Sequence, residues 1–180
     1  TRHEQIEEKA AERGIHLLVE KPLGLDLETV RRKEEIVRAS GIIAGSGYCL
    51  RYSETAERAM AYLADKKIAM IRGYYYASYS QSSWWRSMAQ SGGQFVEQAT
   101  HMVDLMRYMA GDIGKVYADM GRLTLTDIEG MDIPDVSSVN LVFRSGAIGH
   151  IDALCNQHEF RTGTEILGRD FRIYLDWNTI

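Results

Sequence analysis

Three side chains that can carry charge or move protons recur at short intervals in one segment. The stretch GGQFVEQATHMVDLMRYMAG, residues 92–111, holds Glu97, His101 and Asp104, spaced four and then three residues apart. Side chains at these spacings are neighbours on a helix, so the Glu97 carboxylate can reach the His101 ring. Such a histidine has a fixed tautomer and titrates near neutrality, as a general base needs. The same spacing also suits ligands of one metal ion, or an ordinary solvated polar face.

The helix that positions these residues is predicted from its apolar positions and its glycines. A glycine pair precedes it, and Gly111 follows it, where glycine commonly ends a helix. At about 100° per residue, the polar arc also contains Tyr108 but no lysine, which is unusual for a plain surface. The apolar half of the helix is suited to packing on a sheet and contains Phe95, Val96, Ala99, Met102, Val103, Leu105, Met106 and Met109.

A second group of candidate residues follows an apolar run near the start of the chain. Residues 15–22, IHLLVEKP, are typical of a buried strand, and a helix over 26–41 and a strand over 42–50 follow. This alternation predicts a doubly wound parallel sheet, whose ligands bind at the carboxyl ends of the strands. The predicted ligand crevice therefore contains Glu20, Lys21 and Pro22.

The domain organisation follows from a change in the pattern of predicted helices and strands near residue 50. The glycine fingerprint G-x-G-x-x-G of dinucleotide-binding sheets is absent, so residues 1–50 are interpreted as the C-terminal remnant of such a domain, whose front is not in this chain. Residues 51–180 contain a helix and then successive strands, with a tight turn at Ser145 and Gly146. The predicted fold class is α+β, with a large open, mainly antiparallel sheet and helices on one face.

Composition excludes several classes of function. The chain has 180 residues, 45% of them hydrophobic, and a formal net charge of −4 without a basic stripe, so we expect no nucleic-acid partner. No apolar run approaches the ~18 residues of a membrane span. Cys49 and Cys155 are isolated and lie in apolar surroundings, which predicts reduced, buried thiols in a cytoplasmic protein.

Several motifs together resemble the Gfo/Idh/MocA family of NAD(P)-dependent oxidoreductases. They are LLVEKPLGLDLETV, GYCLRYS, WWRSMAQSGGQFVEQATHMVDLMRYMAG, VSSVNLVFRSGAIGHI and TEILGRDFRIYLDW. The most specific feature is EKP followed some 70 residues later by S-G-G, an acidic residue and H-x-x-D. The resemblance implies a partial Rossmann domain, a truncated substrate domain, NAD or NADP as cofactor, and a sugar, inositol or related polyol as substrate. It also implies a homodimer or homotetramer assembled through the open sheet face.

The resemblance assigns roles by motif position. Lys21 orients the reacting hydroxyl and contacts the cofactor, His101 is the acid/base, and Glu97 stands where the family usually has aspartate. Asp104 is expected to anchor its helix. Arg51 and Trp85 join Glu20, Lys21 and Pro22 as cofactor contacts, while Arg86 joins Lys21, Glu97 and His101 as a substrate contact. Trp84 belongs to the same segment as Trp85, and at least one of these tryptophans is expected in the core.

Other interpretations remain open at this point. Arg51 and Arg86 could simply form ion pairs. The chain could be a non-catalytic dimerisation module, since without the glycine fingerprint we expect it to be inactive alone. It could also be a metal-dependent hydrolase or isomerase that uses Glu97, His101 and Asp104, or a relative that uses NAD transiently to cleave glycosides. A dehydrogenase of this family is expected to need no metal.

Overall fold

The computed structural model describes residues 5–176. Residues 1–4 and 177–180, at the outer ends of the two predicted domains, lie outside the described residues, and so does Trp177 of the last motif. The helices are α1 Ile6–Glu12, α2 Leu27–Ser40, α3 Glu54–Leu63, α4 Met88–Ser91 and α5 Thr100–Ala110, with a 3-10 turn at Cys49–Tyr52 and a π turn at Phe95–Ala99. The strands are β1 Leu17–Val19, β2 Ala44–Ser46, β3 Ile68–Ser78, β4 Ile113–Gly121, β5 Val136–Phe143, β6 Ile148–Leu154, β7 Asn156–Gly168 and β8 Phe171–Asp176.

The first part of the chain has the predicted strand, helix, strand arrangement. Strands β1 and β2 pair in parallel, and α2 lies between them in sequence. Helix α2 begins where expected, because the side chain of Asp26 accepts a hydrogen bond from the Thr29 amide, and it ends at Gly41 with a φ of 71°. The prediction of a buried strand is wrong for this chain: Leu18 is 83% exposed, because a sheet of two strands leaves part of its surface uncovered.

The second part is built on a six-stranded sheet in the order β4-β5-β6-β3-β7-β8. Four of its five strand pairs are antiparallel, and only β3 and β6 run parallel. The predicted α+β class with a mainly antiparallel sheet is confirmed. The predicted turn between β5 and β6 is also present, with the Gly146 amide bonded to the Phe143 carbonyl at 2.9 Å.

Helix α5 packs on the sheet through its methionines. A Cβ on Gly73 of β3 would lie 3.0 Å from the Met106 sulfur and 3.6 Å from the Met102 Cβ, so glycine permits the close approach of helix and strand. Ile71, Met106 and Ile151 are fully buried in this core. The side of the helix that was predicted to be apolar is therefore the side that packs on the sheet.

Two boundaries differ from the sequence prediction. The run VYADMGRLTLT, residues 116–126, is strand-like by its sequence, but the strand ends at Gly121, because the following loop bonds to a buried carboxylate, Asp135, rather than to a strand. Cys155 is buried as predicted, but Cys49 is exposed, because the strand over 42–50 ends at Ser46 and Cys49 starts a surface turn. Among residues 5–176, no helix is long and apolar enough to cross a membrane.

Candidate active site

An ion pair joins the two parts of the chain at the predicted site. The Lys21 ammonium donates to Glu97 Oε1 at 2.8 Å and to the backbone carbonyl oxygen of Glu97 at 2.5 Å. The two side chains are only 17% and 14% exposed. Lys21 follows β1 and Glu97 lies 76 positions later, so the fold brings these two predicted residues together.

Glu97 lies on a π turn rather than on an ordinary helical turn. Residues Phe95–Ala99 form the π turn and continue directly into α5. The uniform spacing of about 100° per residue is therefore wrong for the first turn of the segment, since a π turn closes its hydrogen bonds over five residues. Gly92 has a φ of 74°, and a Cβ there would lie 3.0 Å from Leu25, so this entry to the helix requires glycine. Such turns are frequent at functional sites.

His101 lies half-buried next to the ion pair. Burial, and after it the positive charge of Lys21, lowers the pKa of His101 below its ordinary value, while Asp104 and Glu20 act in the opposite direction. The ring meets Tyr48 edge to face, with centroids 6.1 Å apart. The imidazole is therefore neutral at pH 7, as a proton acceptor has to be.

Asp104 binds Arg51 across the site. Arg51 donates from Nε to Asp104 Oδ2 at 2.9 Å and from Nη2 to Oδ1, in a two-pronged contact. The guanidinium carbon also lies 5.0 Å from the centroid of the Tyr108 ring. This arrangement agrees with an anchoring role for Asp104. It also gives Arg51 the ion pair that the sequence offered as an alternative role, and the cofactor contact of Arg51 stays a prediction.

The turn after β1 brings Glu20 and Pro22 close to the same region. Glu20 is exposed, and its Oε2 accepts from the Lys21 amide at 3.3 Å. Pro22 is buried and follows a cis peptide bond. A groove of about 400 Å³ runs between this turn and the helix, with Pro22, Tyr48 and Thr100 in its wall. The groove lies at the carboxyl end of β1, where the sequence predicted a ligand crevice.

The tryptophan segment packs away from these groups. Trp85 is 3% exposed and packs in a separate core cluster with Met131, Ile133 and Cys155, so the expectation of a core tryptophan is confirmed. The buried position of Trp85 favours a role in the core, and its contact with the cofactor stays a prediction. Arg86 donates from Nη1 to the Glu129 carbonyl at 2.9 Å and thereby holds the loop before β5. Its predicted contact with substrate is likewise untested.

Two tyrosines belong to the site but were missing from the sequence prediction. The Tyr48 hydroxyl lies 3.3 Å from the Thr100 hydroxyl. Burial, and after it the negative charge of Glu97, raises the pKa of Tyr75 on β3. Tyr48 lies near the end of a predicted strand, in the quoted motif GYCLRYS, and could have been found from that position. Tyr75 carried no local signal, because its place depends on how β3 lies under the helix.

The carboxylates of the arc are occupied by cations of the protein itself. Glu97 pairs with Lys21, and Asp104 pairs with Arg51. Within residues 5–176, no group of three or more His, Cys, Asp or Glu side chains is arranged to hold a metal ion.

Comparison with known proteins places the chain in a family. The model of the GFO/IDH/MocA C-terminal domain matches residues 67–174, more than half of the chain. The chain belongs to the GFO/IDH/MocA family. The match covers β3 to β7 in full, most of β8, and the segment that carries Glu97 and His101.

Relatives within the GFO/IDH/MocA family include proteins of known activity. The chain is 28% identical to scyllo-inositol 2-dehydrogenase (NAD(+)) of Bacillus subtilis (strain 168), over 93% of this chain and 50% of that protein. It superimposes on the crystal structure of GenD2 from gentamicin A biosynthesis in complex with NAD at a TM-score of 0.86 and 27% identity, covering 97% and 51% of the two chains. Levoglucosan dehydrogenase in complex with NADH and L-sorbose has the same fold, with a TM-score of 0.90 at 24% identity over 99% and 52%. The chain spans about half the length of these three relatives.

Proposed function

We propose that the protein is an NAD- or NADP-dependent dehydrogenase that interconverts a secondary alcohol and a ketone on a sugar, inositol or related polyol. The observation that carries the proposal is the Lys21–Glu97 pair beside a half-buried histidine whose pKa is lowered. Alcohol oxidation needs a base for the hydroxyl proton and a positive group beside the developing alkoxide, and a neutral imidazole and a held ammonium can supply these two functions.

His101 accepts the hydroxyl proton in this proposal. Its lowered pKa keeps the ring unprotonated at pH 7, so a lone pair is available as the C–H bond of the alcohol breaks. In the reverse direction the protonated ring returns the same proton to the ketone oxygen. Because burial is the main cause of the lowered pKa, water exclusion and base strength are linked at this residue.

Lys21 orients and stabilises the oxygen that loses its proton. An ammonium next to a developing alkoxide lowers the energy of the transition state, more so where water is excluded. Glu97 Oε1 and the Glu97 carbonyl hold this ammonium in place. The second carboxylate oxygen, Oε2, is buried without a hydrogen-bond partner among the described residues, which favours a hydroxyl donor of the substrate at that position. That Glu97 also orients His101 stays a prediction.

The described residues fit the reactive end of a dinucleotide rather than its phosphates. Lys21 and Pro22 stand at the carboxyl end of β1, where dinucleotides bind in parallel sheets, whereas the glycine fingerprint for the pyrophosphate is absent from the sequence. A bound nicotinamide supplies the hydride acceptor. Glu20, Lys21 and Pro22 would hold that end of the cofactor, with Arg51 and Trp85 as further predicted contacts. The relatives described above favour NAD.

The remaining parts of the proposal concern the whole protein. We propose that residues 1–50 and 51–180 belong to a nucleotide domain and a substrate domain, and that this chain alone does not turn over. We further propose a cytoplasmic homodimer or homotetramer formed through the open sheet face. The two-domain division is supported by the separate two-stranded and six-stranded sheets.

The test is turnover in the full-length enzyme with inositols and sugars as substrates. Lys21→Met and His101→Ala are each expected to lower kcat by ~10²-fold or more, because each removes one group that acts on the reacting oxygen. Lys67→Met and His158→Ala are matched controls at exposed positions and should retain wild-type turnover. Unchanged turnover in both site variants would refute the assignment.

A further inference from the structure

The outer edge of the large sheet is a long strand with exposed apolar side chains. Strand β4 ends the order of the six-stranded sheet, and among residues 5–176 no strand pairs with its outer side. Val116, Tyr117 and Met120 are 63%, 64% and 46% exposed. An edge of this kind is a template for pairing with another strand unless the protein protects it.

The usual means of protection are weak along most of this edge. A bulge lies between Ile113 and Lys115, but the pairing of β4 with β5 is regular from Lys115 to Gly121. The outer backbone is therefore extended over seven consecutive residues, 115–121. The two charges on this stretch, Lys115 and Asp119, have opposite signs, whereas a protective edge repels a second copy of itself.

The alternation of side chains limits how two copies of β4 could pair. In an antiparallel pair, residues opposite each other point to the same face of the sheet, and successive residues alternate between faces. Two identical strands in one continuous sheet must therefore be related by a two-fold axis that passes through a residue. With the axis at Tyr117, Lys115 of each copy stands opposite Asp119 of the other. With the axis one residue earlier or later, Lys115 of one copy no longer stands opposite Asp119 of the other.

We infer that β4 is an interaction surface for a second copy of this chain, with antiparallel pairing about a two-fold axis at Tyr117. The pairing joins two six-stranded sheets edge to edge and places two Lys115–Asp119 contacts symmetrically about the axis. Among residues 5–176, Lys115 has no acidic partner within its own chain, and Asp119 accepts only a 3.3 Å hydrogen bond from the Tyr117 hydroxyl. Both charges are therefore available to a partner strand. The Lys115, Tyr117 and Asp119 side chains lie on the open face of the sheet, because Tyr117 stands in register with Asn140 and His150, whereas the backbone atoms that would pair lie on the outer edge of β4.

Charge reversal tests the proposed contacts. Lys115→Glu and Asp119→Lys should each raise the Kd of self-association by at least ~10-fold, because each creates two like-charge pairs across the axis. The double variant Lys115→Glu/Asp119→Lys should restore association to within about 3-fold of wild type, because it exchanges the two charges. The matched control is Arg169→Asp/Asp170→Arg in the turn before β8, where both side chains are more than 90% exposed, and it should not change association. Sedimentation velocity gives each Kd.

Disulfide trapping tests the register. In a Cys49→Ser background, which removes the exposed native thiol, Tyr117→Cys should form a covalent dimer on mild oxidation. Lys115→Cys alone and Asp119→Cys alone should form no covalent dimer, since the two copies of the same cysteine are then about 13 Å apart along the strands. A mixture of the two variants should cross-link, because residue 115 of one copy stands opposite residue 119 of the other.

The proposal is overturned by a monomer at all concentrations, by single reversals without effect, by a double variant as weak as the singles, or by absence of the mixed cross-link. Association through the open face alone would not give the mixed cross-link, so the cross-links rather than the charge reversals distinguish the edge from the open face. Turnover is not part of either measurement, so the proposed dehydrogenase activity can fail without affecting this test.

Discussion

The Lys21–Glu97 pair allows the most direct test of how the site is organised. The sequence placed Glu97 beside His101 as a group that orients the ring. In the structure, Glu97 holds the Lys21 ammonium, and Lys21 is the charge that lowers the pKa of His101. The perturbation that separates these roles is a double-mutant cycle of Lys21→Met and Glu97→Gln, in which each variant removes one charge and approximately keeps the shape.

The magnitude follows from the distance and the burial. At 2.8 Å the attraction is about 6 kcal/mol for an effective dielectric constant of about 20. Both side chains are at least four-fifths buried, so the loss of their hydration offsets most of this attraction. We therefore expect a coupling free energy of ~2 kcal/mol in the cycle. Each single variant should destabilise the protein by ~3 kcal/mol, since it leaves a largely buried charge without its partner.

Urea denaturation of the four proteins gives the coupling, and NMR titration of His101 gives its pKa in each. Lys21→Met should raise the pKa of His101, because it removes a nearby positive charge. As a control, Lys66→Met and Asp65→Asn alter an ion pair of 2.7 Å in which Asp65 is 82% exposed, and this pair should show no measurable coupling. Coupling below ~0.5 kcal/mol together with a lowered pKa of His101 in Glu97→Gln would refute this reasoning and restore the role that the sequence suggested.

Two further predictions concern stability against pH. The pKa of His101 in the folded protein lies below 6.5, so the unfolded chain binds more protons than the folded protein once the pH falls below 6.5. The contribution of His101 to the free energy of unfolding is therefore complete above pH 6.5 and is lost as the pH falls toward the folded pKa. Urea denaturation of His101→Gln at several pH values should lack this pH-dependent contribution. Burial would raise the pKa of Asp135, but hydrogen bonds from the Thr124 hydroxyl and the amides of residues 123–125 lower it to about 2. Its stability of ~2 kcal/mol is complete above about pH 4 and is lost as the pH falls toward 2. Asp135→Asn should lose a similar amount at pH 7, unlike the exposed Asp127→Asn; equal stabilities would contradict the hydrogen-bond account.

The sequence predicted the elements that depend on local signals. The tight turn at Ser145 and Gly146 separated two runs predicted as strands, which are β5 and β6, and Asp26 and Gly41 bounded the predicted helix that is α2. The parallel pairing of β3 with β6 could not be predicted, because strands distant in sequence carry no label for direction. The exposure of Leu18 could not be predicted either, since an apolar run indicates burial only where other elements cover it.

The site was predicted in its membership and only partly in its contacts. Lys21, Glu97 and His101 could be named from motifs, but the spacing of four between Glu97 and His101 suggested a contact within the helix. The π turn at Phe95–Ala99 changes the direction of the Glu97 side chain relative to an α-helix, and no residue-type pattern reports such a turn. The long-range Lys21–Glu97 contact follows from the fold, which joins residues 76 positions apart.

The helix that carries His101 lies on the side of the sheet opposite the open face, and this arrangement separates catalysis from assembly. Helix α5, which carries His101, packs on the face of the sheet where Gly73 contacts Met106. The opposite face carries the other set of alternating residues, among them Arg72, paired in register with His150. The β4 edge lies three strands from β3, at the end of the sheet. Edge pairing uses the outer backbone of β4 together with Lys115, Tyr117 and Asp119, whose side chains are also part of the open face. Neither mode of pairing covers the helix that carries the base. Association through the edge or through the open face therefore leaves the site unchanged.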